Sequence, residues 1–193
     1  VTWWIQDGTL LGAIRHGGPI PGDSDIDLGM PAREFRWSII EAMVDGGFVL
    51  DRVFGTPEQG LEIFLTYNGT RVDIFLMYEH AGHWSYPCFY RNLRLDSVVE
   101  PFGIARTRFA GIDVPCPDAA ERYLEITYGP DWRTPVRDWH YAFSPANLVL
   151  HGGPLVDLFY RYRKAQWIVR RSVRRLWRSL IPIRATAVPR ATQ

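Results

Sequence analysis

The sequence contains two cysteines, Cys88 and Cys116, with no CxxC spacing between them. That argues against a zinc knuckle, gives no support to a disulfide framework, and leaves two reduced core thiols as the expectation. No run of 18 apolar residues occurs, so no helical membrane span is expected, and the first residues lack the basic-then-apolar order of a signal peptide. The expectation is a cytoplasmic protein, peripheral at the inner face of a membrane. Acid is missing too, but only from one end. All 21 acidic residues lie at or before Asp157, beside 12 arginines, a net of −9, whereas the ten basic residues from Arg161 to Arg190 have no acid among them. The net charge of +1 conceals an acidic body and a basic tail.

What is present suits one globular domain: 193 residues, 47% hydrophobic and 22% charged. The expected division is a catalytic domain over 1–153, a basic amphipathic helix over 154–181 and a disordered tail over 182–193. Because the opening VTWWIQ already reads as a buried strand, a helix is expected to precede it in a longer chain.

The stretch over residues 7–30, DGTLLGAIRHGGPIPGDSDIDLGM, organises the rest. Thr9 is the expected N-cap of a helix over 10–16, with Leu10, Leu11 and Ile14 on its buried face and Gly17 ending it. A helix N-terminus presents N–H groups and positive dipole to an anion, so Gly8 and Thr9 are expected to hold phosphate oxygens, with Arg15 contacting the same anion. Asp23, Asp25 and Asp27 then follow at alternate positions. On a strand, Asp25 and Asp27 share a face while Ile26 and Leu28 take the other. At about 4 Å and an effective dielectric near 20, two carboxylates repel by about 4 kcal/mol, which a cation relieves. No His or Cys lies between Asp23 and Asp27, and an all-oxygen donor set selects Mg²⁺ or Mn²⁺ over zinc or copper.

Downstream, Phe35, Ile39, Ile40 and Met43 predict a helix over 32–44 stopped by Gly46 and Gly47, and a third strand follows over 48–54. Asn68-Gly69 predicts a two-residue hairpin joining strands over 61–67 and 70–78. In the second arm, Asp73 is an acid in the otherwise apolar run VDIFLMY. It is either the third metal ligand or the partner of Arg71 in a salt bridge. Residues 79–113, rich in aromatics and arginine, yield no individual roles. Pro115 and Pro117 suggest a loop, Asp118 and Glu121 a capping box for a helix through Thr127, and residues 131–151 an irregular surface segment. Over 155–181, Leu158, Tyr162, Ala165, Val169, Val173, Leu176 and Leu180 form one helical stripe. Arg161, Arg163, Lys164, Arg170, Arg171, Arg174, Arg175 and Arg178 occupy the other faces. Such a helix suits an anionic membrane surface, a partner protein, nucleic acid or docking on its own domain, and the membrane surface is favoured over nucleic acid. Nucleic acid is the weaker partner, because a body of −9 opposes a polyanion and the apolar stripe has no use there.

Taken together, GTLLGAIR, IPGDSDIDLG, VDIF and VPCP followed by YLEITYGPDW resemble the LicD/fukutin family of nucleotidyltransferase-fold phosphotransferases over roughly residues 2–132. The resemblance implies an α/β (α+β) nucleotidyltransferase fold, a mixed sheet flanked by helices. It also implies a LicD-type transferase that moves a phospho-alcohol, such as phosphocholine or ribitol phosphate, from a CDP-activated donor to a glycan or glycolipid hydroxyl, releasing CMP. In those terms Gly8-Thr9 corresponds to the fold's glycine-serine signature, Asp25 and Asp27 to its acidic pair, and Asp73 to its third acid, completing the metal site or taking the acceptor proton. Arg15 matches the arginine after the LLG turn. Gly22 and Ser24 stand where the family commonly has Trp and Asp. Two rival readings remain: a nucleotidyltransferase of the same fold that releases pyrophosphate, and a membrane- or nucleic-acid-binding protein with a vestigial site.

Overall fold

The computed structural model describes residues 1–180, which divide into two compact units, the first ending at Gly152 and the second beginning at Gly153. The expected disordered tail over 182–193 lies outside the described residues.

The first unit is a mixed α/β body. Strands β1 (Trp4–Ile5), β2 (Asp25–Pro31), β5 (Thr70–His80), β6 (His83–Tyr90), β7 (Leu93–Val99) and β10 (Leu148–His151) lie in that order across one sheet. Strand β4 (Gly60–Tyr67) pairs with β5 and with β3 (Val49–Thr56), while β8 (Ile104–Phe109) and β9 (Ile112–Pro117) form a separate hairpin. Only β2 and β5 run parallel among these paired strands.

Side-chain alternation gives this sheet two unlike faces. Leu61, Ile63 and Leu65 of β4, Val72, Ile74 and Leu76 of β5, and Met30 of β2 pack on Phe35 and on Ile40 of helix α2 (Trp37–Asp45). Each such aliphatic side chain, fully buried, contributes roughly 1.5–3 kcal/mol. On the opposite face Phe75 and Met77 join Trp4 beneath Leu10 and Leu11 of helix α1 (Asp7–His16) and Tyr123 and Leu124 of helix α3 (Ala120–Tyr128). The acidic positions share that face but lie beyond the apolar cover.

The Asn68-Gly69 hairpin forms as expected, with φ of 49° and 81° at its two central residues and Tyr67 paired with Thr70, the left-handed geometry of a type I′ turn. Several expectations are corrected. Helix α1 begins at Asp7 rather than Leu10, so Thr9 lies inside its first turn and is not the cap. Residues 32–44 are not one helix: a 3₁₀ turn, Ala32–Glu34, is followed by extended backbone at Phe35 and Arg36. The Arg36 guanidinium donates to the Arg33 and Phe35 carbonyls, and the break lets Phe35 enter the core at 5% exposure. Pro115 and Pro117 sit in strand β9, whose only partner among the described residues is β8, the edge setting that tolerates proline. Asp118 forms no capping box: its Oδ1 accepts the Gly103 and Ala119 N–H groups at 3.0 and 2.7 Å, fastening the chain just ahead of β8. Within 131–151, β10 pairs with β7. Cys88 and Cys116 are free and buried, as expected.

The second unit contains helix α4 (Pro154–Leu180), on which Leu158, Tyr162, Val169, Val173 and Leu176 of the expected stripe are exposed. Among the described residues no helix is long and apolar enough to cross a membrane.

Gly29 faces Trp4 across the β1–β2 pair, and a Cβ there would lie 2.3 Å from Gln6 Oε1 and from Trp4 Nε1. Both neighbours are buried, at 0% and 1% exposure, and have nowhere to go. Gly29→Ala is therefore expected to cost about 2–3 kcal/mol by overpacking, read as a lower urea midpoint at unchanged slope; an unaltered midpoint would contradict this packing.

Candidate active site

The parallel register of β2 and β5 sets Asp25 opposite Arg71 and Asp27 opposite Asp73. Opposed positions in a sheet share a face, so two carboxylates confront each other across the pair and a third, Asp25, lies one step along. One oxygen from each of Asp25, Asp27 and Asp73 falls within a common span of 4.8 Å. At that separation and an effective dielectric near 20, each charged pair repels by roughly 3.5 kcal/mol.

Three devices hold the trio. Gly8 leaves the space above it open: a Cβ there would come within 3.0 Å of Asp23 Oδ2 and of Asp27 Oδ2. Thr9 clasps Asp27 from both sides, its N–H donating to Asp27 Oδ2 at 3.3 Å and its Oγ1 accepting the Asp27 N–H at 2.8 Å. Arg71 donates to Asp25 Oδ2 and sets its Nε 3.0 Å from Asp73 Oδ1. Asp73 thus pairs with Arg71, and the same carboxylate lies among the three acids. Its Oδ1 nevertheless forms no aligned hydrogen bond although buried. Three clustered carboxylates with one guanidinium between two of them keep an excess of negative charge, and an all-oxygen cluster of that kind fits a hard divalent cation.

The trio opens into a cavity of about 530 Å³. Phe54, Phe64, Phe89, Trp139 and Tyr141 supply aromatic walls, and Arg52 and Arg91 add positive charge. Thr127 also lines it, and its buried hydroxyl has no hydrogen-bond partner.

Gly8, Thr9, Asp25, Asp27 and Asp73 thus meet at one place, and Arg15 does not join them. Thr9 positions a carboxylate there, its N–H donating to Asp27 Oδ2 and its Oγ1 accepting the Asp27 N–H, which leaves the hydroxyl proton free to donate. Arg15 lines a different cavity of about 250 Å³, with His16, Glu121, Trp132 and Arg133. The reason is helical rise: eight residues separate Asp7, at the main cavity, from Arg15, about 12 Å along the axis.

Two cavity carboxylates escape the motif-based reading. Asp7 has positive φ, 43°, and anchors a buried polar chain. Trp4 Nε1 donates to Gln6 Oε1 at 3.3 Å and Gln6 Nε2 to Asp7 Oδ2 at 3.2 Å. The Tyr86 hydroxyl donates to Asp7 Oδ1 at 2.6 Å, and the Tyr123 hydroxyl lies 3.2 Å from the same oxygen. Glu62 of β4 is buried at 7% exposure. Its signal was the hairpin itself, since counting back from a two-residue turn places Glu62 and Phe64 on the face of Asp73 and Phe75.

Burial raises the carboxyl pKa values of Asp7, Asp27, Glu62 and Asp73. It is the chief cause at Asp27, followed by the charges of Asp7 and Asp73. Burial outweighs the lowering by Arg71 at Asp73, which rises to about 6, and outweighs the tyrosine hydrogen bonds at Asp7, which also reaches about 6. Glu62, buried and near the charge of Asp73, rises to about 8.

Residues 1–119 match the family described as "LicD/FKTN/FKRP, nucleotidyltransferase domain". Similar proteins include "Ribitol-5-phosphate transferase FKTN" of Mus musculus, 34% identical over 155 residues, covering 79% of this chain and 34% of the relative. The Homo sapiens protein of that name is 32% identical over the same shares. "Ribitol 5-phosphate transferase FKRP" of Mus musculus is 29% identical over 162 residues, 79% of this chain and 32% of the relative. The chain spans about a third of the length of these relatives.

Carboxyl pKa values raised in the fold mean that the cation-free protein takes up protons on folding. The stability from those groups is fully present below their unfolded values, near 4, and is lost as pH rises through about 6 for Asp7 and Asp73 and about 8 for Glu62. In EDTA the melting temperature is therefore expected to fall between pH 5 and 8.5, and Mn²⁺ to restore it chiefly at the alkaline end. Asp27→Asn should flatten the fall and lose most of the Mn²⁺ response. A melting temperature independent of pH in EDTA would contradict these raised carboxyl pKa values.

Proposed function

The chain belongs to the LicD/FKTN/FKRP family, and we propose that it is a metal-dependent transferase moving a phospho-alcohol from a CDP-activated donor to a glycan hydroxyl, with release of CMP. The observation that carries this reading is the acidic trio, gathered within 4.8 Å at a cavity large enough for an activated alcohol. Asp25, Asp27 and Asp73 hold Mg²⁺ or Mn²⁺. When bound, such an ion neutralises charge on the donor's phosphates and polarises the phosphoryl group.

The chain's own residues do the rest by positioning. Gly8, having no side chain, leaves room beside Asp27 for phosphate oxygens near the N-terminus of α1. Arg71 balances the charge of Asp25 and Asp73. The aromatic walls offer faces for a nucleoside base. Little covalent participation by the protein is needed, since phosphoryl transfer depends mainly on alignment and charge compensation. The names of the relatives put ribitol 5-phosphate first among candidate transferred groups.

The acceptor, on this reading, is met at an anionic membrane surface to which α4 docks reversibly. Its basic residues are worth up to about 1 kcal/mol each near anionic lipid, and its stripe supplies apolar contact.

Incubation with CDP-ribitol, CDP-choline and CDP-glycerol plus Mg²⁺ or Mn²⁺ should release CMP in the presence of an acceptor glycan. Asp25→Asn and Asp27→Asn should each lower turnover by on the order of 10²-fold or more. Release of pyrophosphate in place of CMP would mark nucleotidyl transfer and overturn the proposal. For docking, the full chain should bind anionic liposomes at low salt and release them at high salt. Arg170→Gln combined with Arg171→Gln and Arg174→Gln should weaken that binding severalfold; equal binding to neutral liposomes would contradict it.

A further inference from the structure

The cavity holds more carboxylates than a metal site needs, and they are not equally engaged. Asp25 and Asp73 take the Arg71 guanidinium, and Asp27 is clasped by Thr9. Asp7 is surrounded by donors from Gln6, Tyr86 and Tyr123. Asp23, also at the cavity, is exposed and accepts the Ser24 N–H; Glu62 differs from all of them. Among the described residues it has no ion-pair partner, and the hydrogen bond found for it comes from the Phe89 backbone. Yet it is 7% exposed and lines the cavity.

Its place relative to the trio follows from register. Glu62 pairs with Phe75 and Phe64 with Asp73 across β4 and β5, so Glu62 and Asp73 are diagonal neighbours on one face, about 7–8 Å apart at the backbone. Both line the same cavity of about 530 Å³, into which a phosphoryl group and an incoming hydroxyl fit. Asp73, committed to the trio and to Arg71, is poorly placed to take a proton as well.

Resting on the transfer reaction proposed above, we infer that Glu62 is the group that accepts the proton of the acceptor hydroxyl. The hydroxyl oxygen forms the new O–P bond as the P–O bond to CMP breaks. The electron pair of the broken bond leaves with CMP, and the hydroxyl proton passes to the Glu62 carboxylate. The surroundings of Glu62 favour this transfer. Burial and the charges of Asp73 and Asp7 raise its proton affinity, the Phe89 amide opposes them, and a pKa of about 8 lies near working pH. Cys88 and Tyr141, the other titratable groups whose pKa values respond to Glu62, are themselves raised and stay neutral there.

The test is steady-state kinetics of the full chain with the preferred CDP-alcohol and a soluble acceptor, comparing wild type with Glu62→Gln and Glu62→Asp. Glu62→Gln should lower kcat by on the order of 100-fold while leaving the KM for donor and the Mn²⁺-induced thermal shift within about twofold. Glu62→Asp, which keeps a carboxylate, should retain an intermediate rate. Full activity in Glu62→Gln overturns the assignment, and so does loss of folding, of the Mn²⁺ shift or of donor affinity, each of which marks a structural or ligand-binding role. If wild type itself releases no CMP from any donor, the transferase reading fails and this assignment falls with it. If wild type releases CMP and Glu62→Gln matches it, the transferase reading stands and the assignment of Glu62 alone is overturned.

Discussion

The parallel pairing of β2 with β5 is the constraint on which the rest depends. It sets Asp27 squarely against Asp73 and Asp25 against Arg71, a like-charge contact beside an opposite-charge one. A sheet chosen only for stability would not retain the first. The surrounding structure is arranged to contain it: the first turn of α1 supplies Thr9 to Asp27, Gly8 leaves the carboxylates space, and Arg71 reaches along the strand to two of them.

The two faces of the sheet divide the labour. On the α2 side, aliphatic side chains from three strands form a dry layer that fixes strand positions. On the other, apolar packing under α1 and α3 passes into a polar chain running from Trp4 through Gln6 and Asp7 to Tyr86 and Tyr123. That chain joins β1, α1, β6 and α3 at the edge of the acidic cluster. Such a network, with most of its members satisfied, restricts the geometry of its surroundings more than an apolar layer does.

Much of this was legible in the sequence. Asp25, Asp27 and Asp73 could be read because strand alternation and a lone acid in an apolar run are local signals, and the Asn68-Gly69 turn is among the strongest short-range ones. Thr9 and Arg15 fit an anion site by type, but where they point depends on where α1 begins, a boundary that Thr9 itself obscured: Thr9 meets Asp27 and Arg15 lines a second cavity. Residues 79–113 hid three strands and the start of a fourth, because Arg91 and Ala110, both at positive φ, occupy turn positions usually given to glycine or asparagine. Glu62 lay within reach of the hairpin register but carries no motif. The role inferred for it emerges only when the engagement of the neighbouring carboxylates is known.

The tight turn at Asn68-Gly69 therefore governs more than chain reversal. Because alternation has a period of two, adding or removing one residue there, with β5 held in place by β2, would shift β4 by one position. Glu62 and Phe64 would then be delivered to the aliphatic side, and Leu61, Ile63 and Leu65 to the acidic one. Most surface loops absorb insertions with little consequence. This one behaves as a parity constraint, so natural length variation should be tolerated in the segment over 131–147 well before it is tolerated between β4 and β5.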